Sequence, residues 1–230
     1  MRVFVFLLAF SITKLISAQT EQGAIVFEGN TSINFGSLKV NSLHNIFTYE
    51  SGLPNNSLKS TSFSFNAGYF IIDNLSINLS INYNYDIVNY NNSIYNDGED
   101  SYLSYGVIGR YYINNLWLWV QAGYKIGQIS EYSFLENANY AWSSNSIAPL
   151  AIEQNGSEMV PINMFLLDFG FSFFISPNIS IDPAIGATRT TWSVQNISFI
   201  NEAGDATDSF DLAAKSVQLK LSVGFILHLQ

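Results

Sequence analysis

The chain has 230 residues, of which 48% are hydrophobic and only 12% are charged, and it contains no cysteine. An ordinary soluble domain carries about 25% charged residues, so the composition indicates that something other than water faces much of the surface. The absence of cysteine excludes disulfides and thiolate metal sites. No uninterrupted apolar run of about 18 residues, the length of a membrane-spanning helix, follows the N-terminal segment.

The first 18 residues are predicted to be a secretory signal peptide. Arg2 precedes an apolar body over residues 3–10, and the small residues Ser17 and Ala18 form the exit. No cysteine follows, so no lipid anchor is expected. Removing Arg2 and Lys14 leaves 7 basic residues against 18 acidic ones (9 − 2 = 7). The predicted mature domain, residues 19–230, is therefore an exported acidic protein.

The mature chain contains eight runs in which apolar and polar residues alternate. They cover residues 26–35, 62–71, 75–85, 102–113, 116–126, 164–175, 179–191 and 217–229. The third run is the clearest, because every odd position from Leu75 to Tyr85 is apolar or aromatic and every even position from Ser76 to Asn84 is Ser or Asn. A period of two predicts β-strands, each about as long as the 9 to 11 residues that cross a bilayer when tilted.

The connections between the runs alternate in length. Short polar turns are predicted near Asp73, Asn114 and Pro177, inside three similar segments that each have an aromatic pair before the turn. Long segments, residues 36–61, 86–101, 127–163 and 192–214, hold most of the acidic residues. The pattern predicts an all-β fold, a transmembrane antiparallel up-and-down β-barrel of about eight strands with short periplasmic turns and long external loops.

The alternation also fits a soluble eight-stranded barrel with its apolar face inside, so the two arrangements are compared by volume. Phe165, Leu167, Phe169, Phe171 and Phe173 come from one run alone, and similar sets from seven others would overfill a lumen of eight strands. The opposite face supplies Gly, Ser, Asn and a few charges, which a narrow lumen accepts. The apolar face is therefore predicted to meet lipid.

Aromatic residues gather at both ends of the runs, as they do at the two water interfaces of a membrane barrel. Those near the short turns are Tyr69, Tyr111 and Phe173, and those near the long segments are Tyr83, Tyr85, Tyr105 and Tyr124. An open sheet edge in hydrocarbon leaves backbone groups unpaired, so the last run is predicted to pair with the first. An even number of strands places both termini on the short-turn side.

The mature chain resembles the small eight-stranded outer-membrane β-barrel family, of which the OmpA membrane domain and OmpX are familiar members. The most specific likeness is at the C-terminus, where Ser222, Gly224, Leu227 and Leu229 match a sorting pattern of such proteins; Leu229 replaces the usual terminal aromatic residue and Gln230 follows. The resemblance implies a bacterial outer-membrane location and insertion by the outer-membrane assembly machinery. It does not fix a function, because members include anchors, adhesins, small pores and lipid enzymes.

Six charged residues share the predicted polar face, on six different runs: Glu28, Arg110, Lys125, Asp168, Asp182 and Lys220. We call them the lumenal charge network. Buried charges must be paired, so the favoured interpretation is a set of internal ion pairs that fills the barrel. The alternative is a gated or selective pore. Trp117 and Trp119 are also placed in the lumen by parity.

No catalytic residue, metal site or cofactor is predicted. The mature chain has two histidines, His44 and His228, which leaves little for histidine-dependent chemistry. His44 with Asp100 and Ser101 could imitate the His, Asp and Ser of palmitoyl-transferring barrels, but nothing around them repeats that family's sequence. The acidic segments contain no spaced calcium-loop pattern, and an acidic chain is an implausible partner for nucleic acid.

The sequence therefore favours a non-enzymatic surface protein whose external loops meet the outside world. Exposed loops held on a rigid scaffold are where binding usually occurs. The predicted role is structural, adhesive or surface-binding, with an unknown extracellular ligand and with outer-membrane lipid around the barrel. The alternative is a narrow pore for small solutes or ions, and a lipid enzyme comes a distant third.

Overall fold

The structure is a computed structural model, and it describes residues 20–42, 56–89, 98–113, 117–130, 151–153, 159–200 and 206–229. The predicted signal peptide, its cleavage site, His44 and Asn114 lie outside the described residues. Within them, no helix is long and apolar enough to cross a membrane.

Ten β-strands make up the described part of the chain, and most are far longer than average because the alternation continues over many residues. They are β1 (Ile25–Ser42), β2 (Asn56–Ile72), β3 (Leu75–Asn89), β4 (Gly98–Tyr112), β5 (Leu118–Ser130), β6 (Ala151–Glu153), β7 (Met159–Phe171), β8 (Phe173–Ser176), β9 (Ile179–Ile200) and β10 (Ala206–Leu229).

Eight of these strands close an antiparallel barrel, as predicted. The hydrogen-bonded order is β10-β1-β2-β3-β4-β5-β7-β9, and β9 pairs with β10 to complete the circle. β8 continues β7 beyond a break at Ser172 and also pairs with β9, while the three-residue β6 pairs with the far end of β9. The predicted closure of the last run on the first is confirmed by an unbroken ladder from Ile25 opposite Leu229 to Ser42 opposite Leu212.

Two of the short turns lie where the sequence placed them. Asp73 and Asn74 connect β2 to β3, and Asn74 takes a positive φ of 67°, a conformation that asparagine tolerates better than most residues. Pro177 and Asn178 connect β8 to β9. The β4–β5 connection is also tight, since Ile113 N donates to Leu118 O over 2.9 Å, although its centre lies outside the described residues.

The N-terminal segment before β1 is tied to the first short turn. Asn74 N donates to Thr20 O over 2.7 Å, and Gln22 N donates to the Asp73 carboxylate over 2.8 Å. Gly23 N donates to Phe70 O over 2.9 Å. These bonds place the start of the described chain at the short-turn end of the barrel, where β10 also ends.

The prediction of loops over residues 36–61, 86–101, 127–163 and 192–214 was wrong at their edges. β5 continues to Ser130, and β7 already begins at Met159. β1 continues to Ser42, β9 to Ile200, and β10 already begins at Ala206, so the β9–β10 hairpin is paired almost to its tip. The bilayer limits only the length of strand that meets hydrocarbon. Beyond it, β-branched and aromatic residues such as Thr190, Thr191 and Trp192 keep the strand extended.

Candidate functional site

The burial pattern of the barrel is the reverse of that of a soluble protein. On β7, Phe165, Leu167 and Phe169 are 56%, 46% and 54% exposed, while the neighbouring Asp168 is completely buried. Every barrel strand repeats this arrangement, with large apolar side chains outside. A continuous apolar surface of this extent is not stable in water and fits the hydrocarbon of a membrane.

Exposed aromatic side chains lie on the outer surface at two levels. Tyr69 and Tyr111 lie near the short turns, and Tyr83, Tyr105 and Tyr124 lie near the middle of β3, β4 and β5; all five are exposed. An apolar outer surface around a closed, even-numbered antiparallel barrel is typical of barrels that span a membrane. The chain folds as an eight-stranded transmembrane β-barrel. The apolar surface confirms the predicted orientation toward lipid. The predicted second girdle lies mid-strand and not beside the long segments, because β3, β4 and β5 are longer than the runs.

Comparisons with known proteins find only distant likenesses. No protein-family model matches the chain, and no curated protein matches it. Among solved structures, the barrel is similar to the outer membrane protein OprG from Pseudomonas aeruginosa (TM-score 0.46, 9% identity, covering 91% of this chain and 97% of that one). It is also similar to Neisserial surface protein A (TM-score 0.43, 14% identity, covering 90% of this chain and 99% of that one). A third similar structure is the outer membrane protein AlkL (TM-score 0.43, 14% identity, covering 91% of this chain and 92% of that one). These likenesses are too distant to carry a function from one protein to another.

Arg110 occupies the centre of the lumen and connects three strands. Its Nη2 donates to both carboxylate oxygens of Glu28, over 2.9 and 2.8 Å, and its Nη1 donates to Asp182 over 3.3 Å. Glu28 lies on β1, Arg110 on β4 and Asp182 on β9, so these ion pairs cross the barrel rather than follow neighbouring strands. All three side chains are almost completely buried, where an unpaired charge would be very costly.

A third ion pair lies beside the two pairs of Arg110. Lys220 Nζ donates to Asp168 Oδ2 over 2.8 Å. Gln121 links this pair to Arg110, because its Oε1 accepts from Arg110 Nε over 2.9 Å and its Nε2 donates to Asp168 Oδ2 over 2.7 Å. Five of the six residues of the lumenal charge network are therefore held in direct ion pairs and joined through one amide.

Lys125 is the sixth member, and the structure places it differently. Its side chain is buried on the same inner face, but in the part of the chain that the structure describes no carboxylate lies within ion-pair distance of it. The buried Asp86 also faces the lumen from β3, so the described residues place four acids and three bases there. Among those residues, the charge of Lys125 is not compensated by a partner in contact.

Neutral side chains complete the charge layer, and of these the sequence placed only Trp119 in the lumen by name. Ser172 and Ser180 each donate to Asp182, over 2.8 and 2.7 Å, and Asn66 donates to Glu28 over 2.9 Å. Trp119 lies under the Arg110 guanidinium, 4.1 Å from the ring centroid. The available signal was parity, because each of these residues shares the inner face of its run. Parity does not say which residues lie at the same height.

An apolar cluster fills the short-turn end of the lumen, and it too was not predicted. Its members are Ala24, Val26, Phe70, Tyr112, Trp119 and Ile226, all buried. Phe70 and Tyr112 pack with ring centroids 5.8 Å apart. The Trp119 ring packs against Gly170, where a Cβ would lie only 2.2 Å from it. Large apolar residues at inward positions near the ends of the runs were the signal for this cluster.

Two predictions about the lumen require correction. Trp117 was placed inside, but it is 41% exposed and meets Phe173 edge-on at 6.3 Å. It lies before β5 begins, where strand parity does not apply.

The inner face was predicted to be polar, yet part of it is apolar. Both faces of β7 carry apolar residues, so this strand lines the lumen with four buried apolar side chains, Val160, Ile162, Met164 and Leu166.

The opposite wall of the lumen, formed by β1 to β4, is polar as predicted. Asn34 Nδ2 donates to Ser60 over 3.3 Å, and Asn84 Nδ2 donates to Ser104 over 3.2 Å. Such pairs satisfy one another across neighbouring strands. Away from the short turns, the lumen therefore has a wall of paired amides and hydroxyls on β1 to β4, which faces the apolar wall of β7.

The four residues of the predicted sorting pattern lie on β10. Ser222 is buried inside the barrel, Gly224 shares the inward parity, and Leu227 and Leu229 are exposed on the outer surface. Their role in sorting stays a prediction. Among the described residues, no group of three His, Cys, Asp or Glu side chains could hold a metal ion.

Proposed function

We propose that the protein is a non-conducting outer-membrane barrel that holds its external strands and loops at the cell surface for structural, adhesive or binding purposes, without catalysis. The observation that carries the proposal is the filled lumen. The apolar cluster occupies the short-turn end, and the ion pairs of Arg110 with Glu28 and Asp182 lie beside it. An eight-stranded barrel has room only for such side chains.

The long external ends of β9 and β10 support a role at the cell surface. The last residue pair between β7 and β9 is Ile162 with Trp192, but β9 continues to Ile200, paired with β10. Eight further residues add about 25 Å of strand beyond that point. An extension of this length, joined to acidic segments of the sequence, offers far more surface to an external ligand than a plain barrel rim does.

Insertion by the outer-membrane assembly machinery belongs to the same proposal. The support is the sorting pattern at Ser222, Gly224, Leu227 and Leu229, which ends in two lipid-facing leucines on the strand that closes the barrel. Replacing Leu227 and Leu229 by Ser should leave the protein in the periplasm as protease-sensitive material. Replacing the equally lipid-facing Leu219 and Leu221 by Ser is the matched control. Equal amounts of the two variants in the periplasm would contradict a special role for the C-terminus.

Planar-bilayer recording of the refolded protein tests the non-conducting barrel against the narrow pore. The natural protein should give no steady conductance. The variant Phe70→Ala with Trp119→Ala, which removes two of the three aromatic side chains of the apolar cluster, should conduct, provided that unboiled gels show the heat-modifiable mobility of a folded barrel. Stable channels in the natural protein, altered by replacement of Arg110 or Lys220, would instead favour the pore.

A further inference from the structure

We propose that the outer surface of β2, β9 and β10 carries a binding site for phosphate-bearing lipid headgroups of the outer leaflet. The site consists of Lys59, Arg189 and Lys215, which we call the external basic patch. It goes beyond the proposed surface role, because it concerns the membrane-facing wall of the barrel and not the loops.

The distribution of positive charge over the mature chain is strongly uneven. Of its 7 basic residues (9 in the sequence less Arg2 and Lys14), three lie in the lumen as members of the charge network. The other four bases lie on four consecutive strands of the barrel, one on each. They are Arg189 on β9, Lys215 on β10, Lys39 on β1 and Lys59 on β2. An acidic protein has therefore gathered all of its non-lumenal bases on one wall.

The ladder register makes two of the patch residues neighbours and places the third farther along the same wall. Lys215 lies directly opposite Lys39, and Arg189 lies opposite Val217, two residues along β10 from Lys215. Diagonal neighbours of this kind are about 7–8 Å apart. Lys59 lies opposite Phe35, two strands and four residues from Lys215, which is about 16 Å along the wall. The patch is thus wider than a site for a single bound ion and suits a headgroup with more than one phosphate.

All three side chains of the patch are exposed on the outer face, and no carboxylate of the described residues forms an ion pair with them. Lys59, Arg189 and Lys215 share the outward parity of their lipid-facing neighbours, among them Phe63, Ile185 and Val217. Within the described ranges, every ion pair lies in the lumen. In that part of the chain the patch is therefore open to an anion from outside.

The height of the patch matches the membrane boundary. Arg189 is ten residues from the start of β9, Lys59 is thirteen residues from the end of β2, and Lys215 is fourteen residues from the end of β10. Strands tilted by about 40° rise roughly 2.5 Å per residue, so these positions lie about 25–35 Å above the short-turn end. The apolar band of such barrels is about 25 Å tall, which places the bases at the external headgroups.

Charge and position together favour phosphate-bearing lipid over other anions. Arginine and lysine at a membrane interface attract anionic headgroups, and each contributes about fivefold to the binding constant. A soluble anion would have no reason to prefer a wall whose neighbouring residues, such as Phe35 and Leu219, are apolar and exposed. A headgroup attached to acyl chains satisfies both parts of the surface.

Native mass spectrometry of the refolded full chain in detergent tests the site, with diphosphorylated lipid A and its dephosphorylated form as probes. The natural protein should retain the phosphorylated lipid preferentially. Arg189→Gln with Lys215→Gln should weaken that binding by roughly 25-fold. Ser101→Glu with Gln128→Glu is the control. It lowers the net charge by as much as the two Gln substitutions do, at a similar distance from the short turns, but on β4 and β5. It should leave the preference intact, as should the charge-retaining Arg189→Lys with Lys215→Arg.

Three results would overturn the proposal once heat-modifiable mobility shows that each variant is folded. The first is equal retention of the phosphorylated and dephosphorylated lipids. The second is an equal loss of binding in the Gln variant and in the Glu control, which would indicate only general electrostatic repulsion. The third is displacement of the lipid by millimolar inorganic phosphate, which would show a site for the free ion. None of these results depends on whether the lumen conducts.

Discussion

Asp168 and Lys220 form their ion pair directly over a glycine. Both residues are opposite Gly186 in the strand ladder, Asp168 on β7 and Lys220 on β10. Lys220 Nζ lies 2.8 Å from Asp168 Oδ2, and a Cβ at Gly186 would lie 2.0 Å from Asp168 Oδ1. The absence of a side chain on β9 allows two charges on non-adjacent strands to meet.

Gly186→Ala should therefore destabilise the barrel by about 1–3 kcal/mol, the usual cost of overpacking a filled interior. Urea-induced unfolding in lipid vesicles would measure the loss. Gly29→Ala is the matched control, because a Cβ there meets nothing within 4 Å, and it should change the free energy of unfolding by less than about 0.5 kcal/mol. Similar effects at both positions would contradict the steric argument.

Lys220→Met should destabilise the barrel by about 3 kcal/mol, because it leaves the fully buried Asp168 without its cation. The same unfolding assay applies. Adding Asp168→Asn to this variant should restore much of the loss, since the uncompensated charge is then removed. A double variant that is less stable than Lys220→Met would contradict the ion pair as the cause.

Arg110→Met should have the largest effect in the lumen, about 3–5 kcal/mol, because it removes the partner of both Glu28 and Asp182. Lys125→Met is the comparison. Its ammonium group is buried on the same face, but in the described part of the chain it has no ion-pair partner, so its replacement should cost less. Equal losses for the two variants would show that contact pairing does not determine stability here.

Lysine substitutions along the outer face of β10 should show a dependence on depth. Val223 lies six residues from the end of β10 and Leu219 ten, which correspond to about 15 and 25 Å from the short-turn end. Val223→Lys should therefore cost about 2–4 kcal/mol, and Leu219→Lys about 0–1 kcal/mol. Equal costs in the vesicle unfolding assay would contradict the membrane position derived from the strand ladder.

The sequence by itself was sufficient for the fold, because backbone geometry forces side chains of a strand to alternate. The pattern from Leu75 to Tyr85 identified the lipid-facing side, and the turns at Asp73 and Pro177 fixed where the strands reverse. The need to pair every backbone group in hydrocarbon predicted the closure of β10 on β1. These are local properties, or consequences of the solvent, and no tertiary contact is needed to derive them.

Parity also placed all six members of the lumenal charge network on one face, but it could not say which of them meet. Arg110 reaches Glu28 and Asp182 across the lumen, whereas Lys125 contacts no acid among the described residues. Contacts across a barrel depend on the tilt and stagger of its strands, which fix the height of each residue. The sequence of a single strand does not contain that information.

The tertiary structure alone decided three further features. β9 and β10 extend past the membrane because they pair with each other in water, which the bilayer-length argument did not foresee. The apolar cluster around Phe70 and Trp119 forms because side chains from five strands, with Ala24 just before β1, converge at one height. The external basic patch arises in the same way, since Lys59, Arg189 and Lys215 are far apart in sequence. Arg189 and Lys215 become neighbours only when β10 pairs with β9, and Lys59 joins the same wall only when β10 closes on β1.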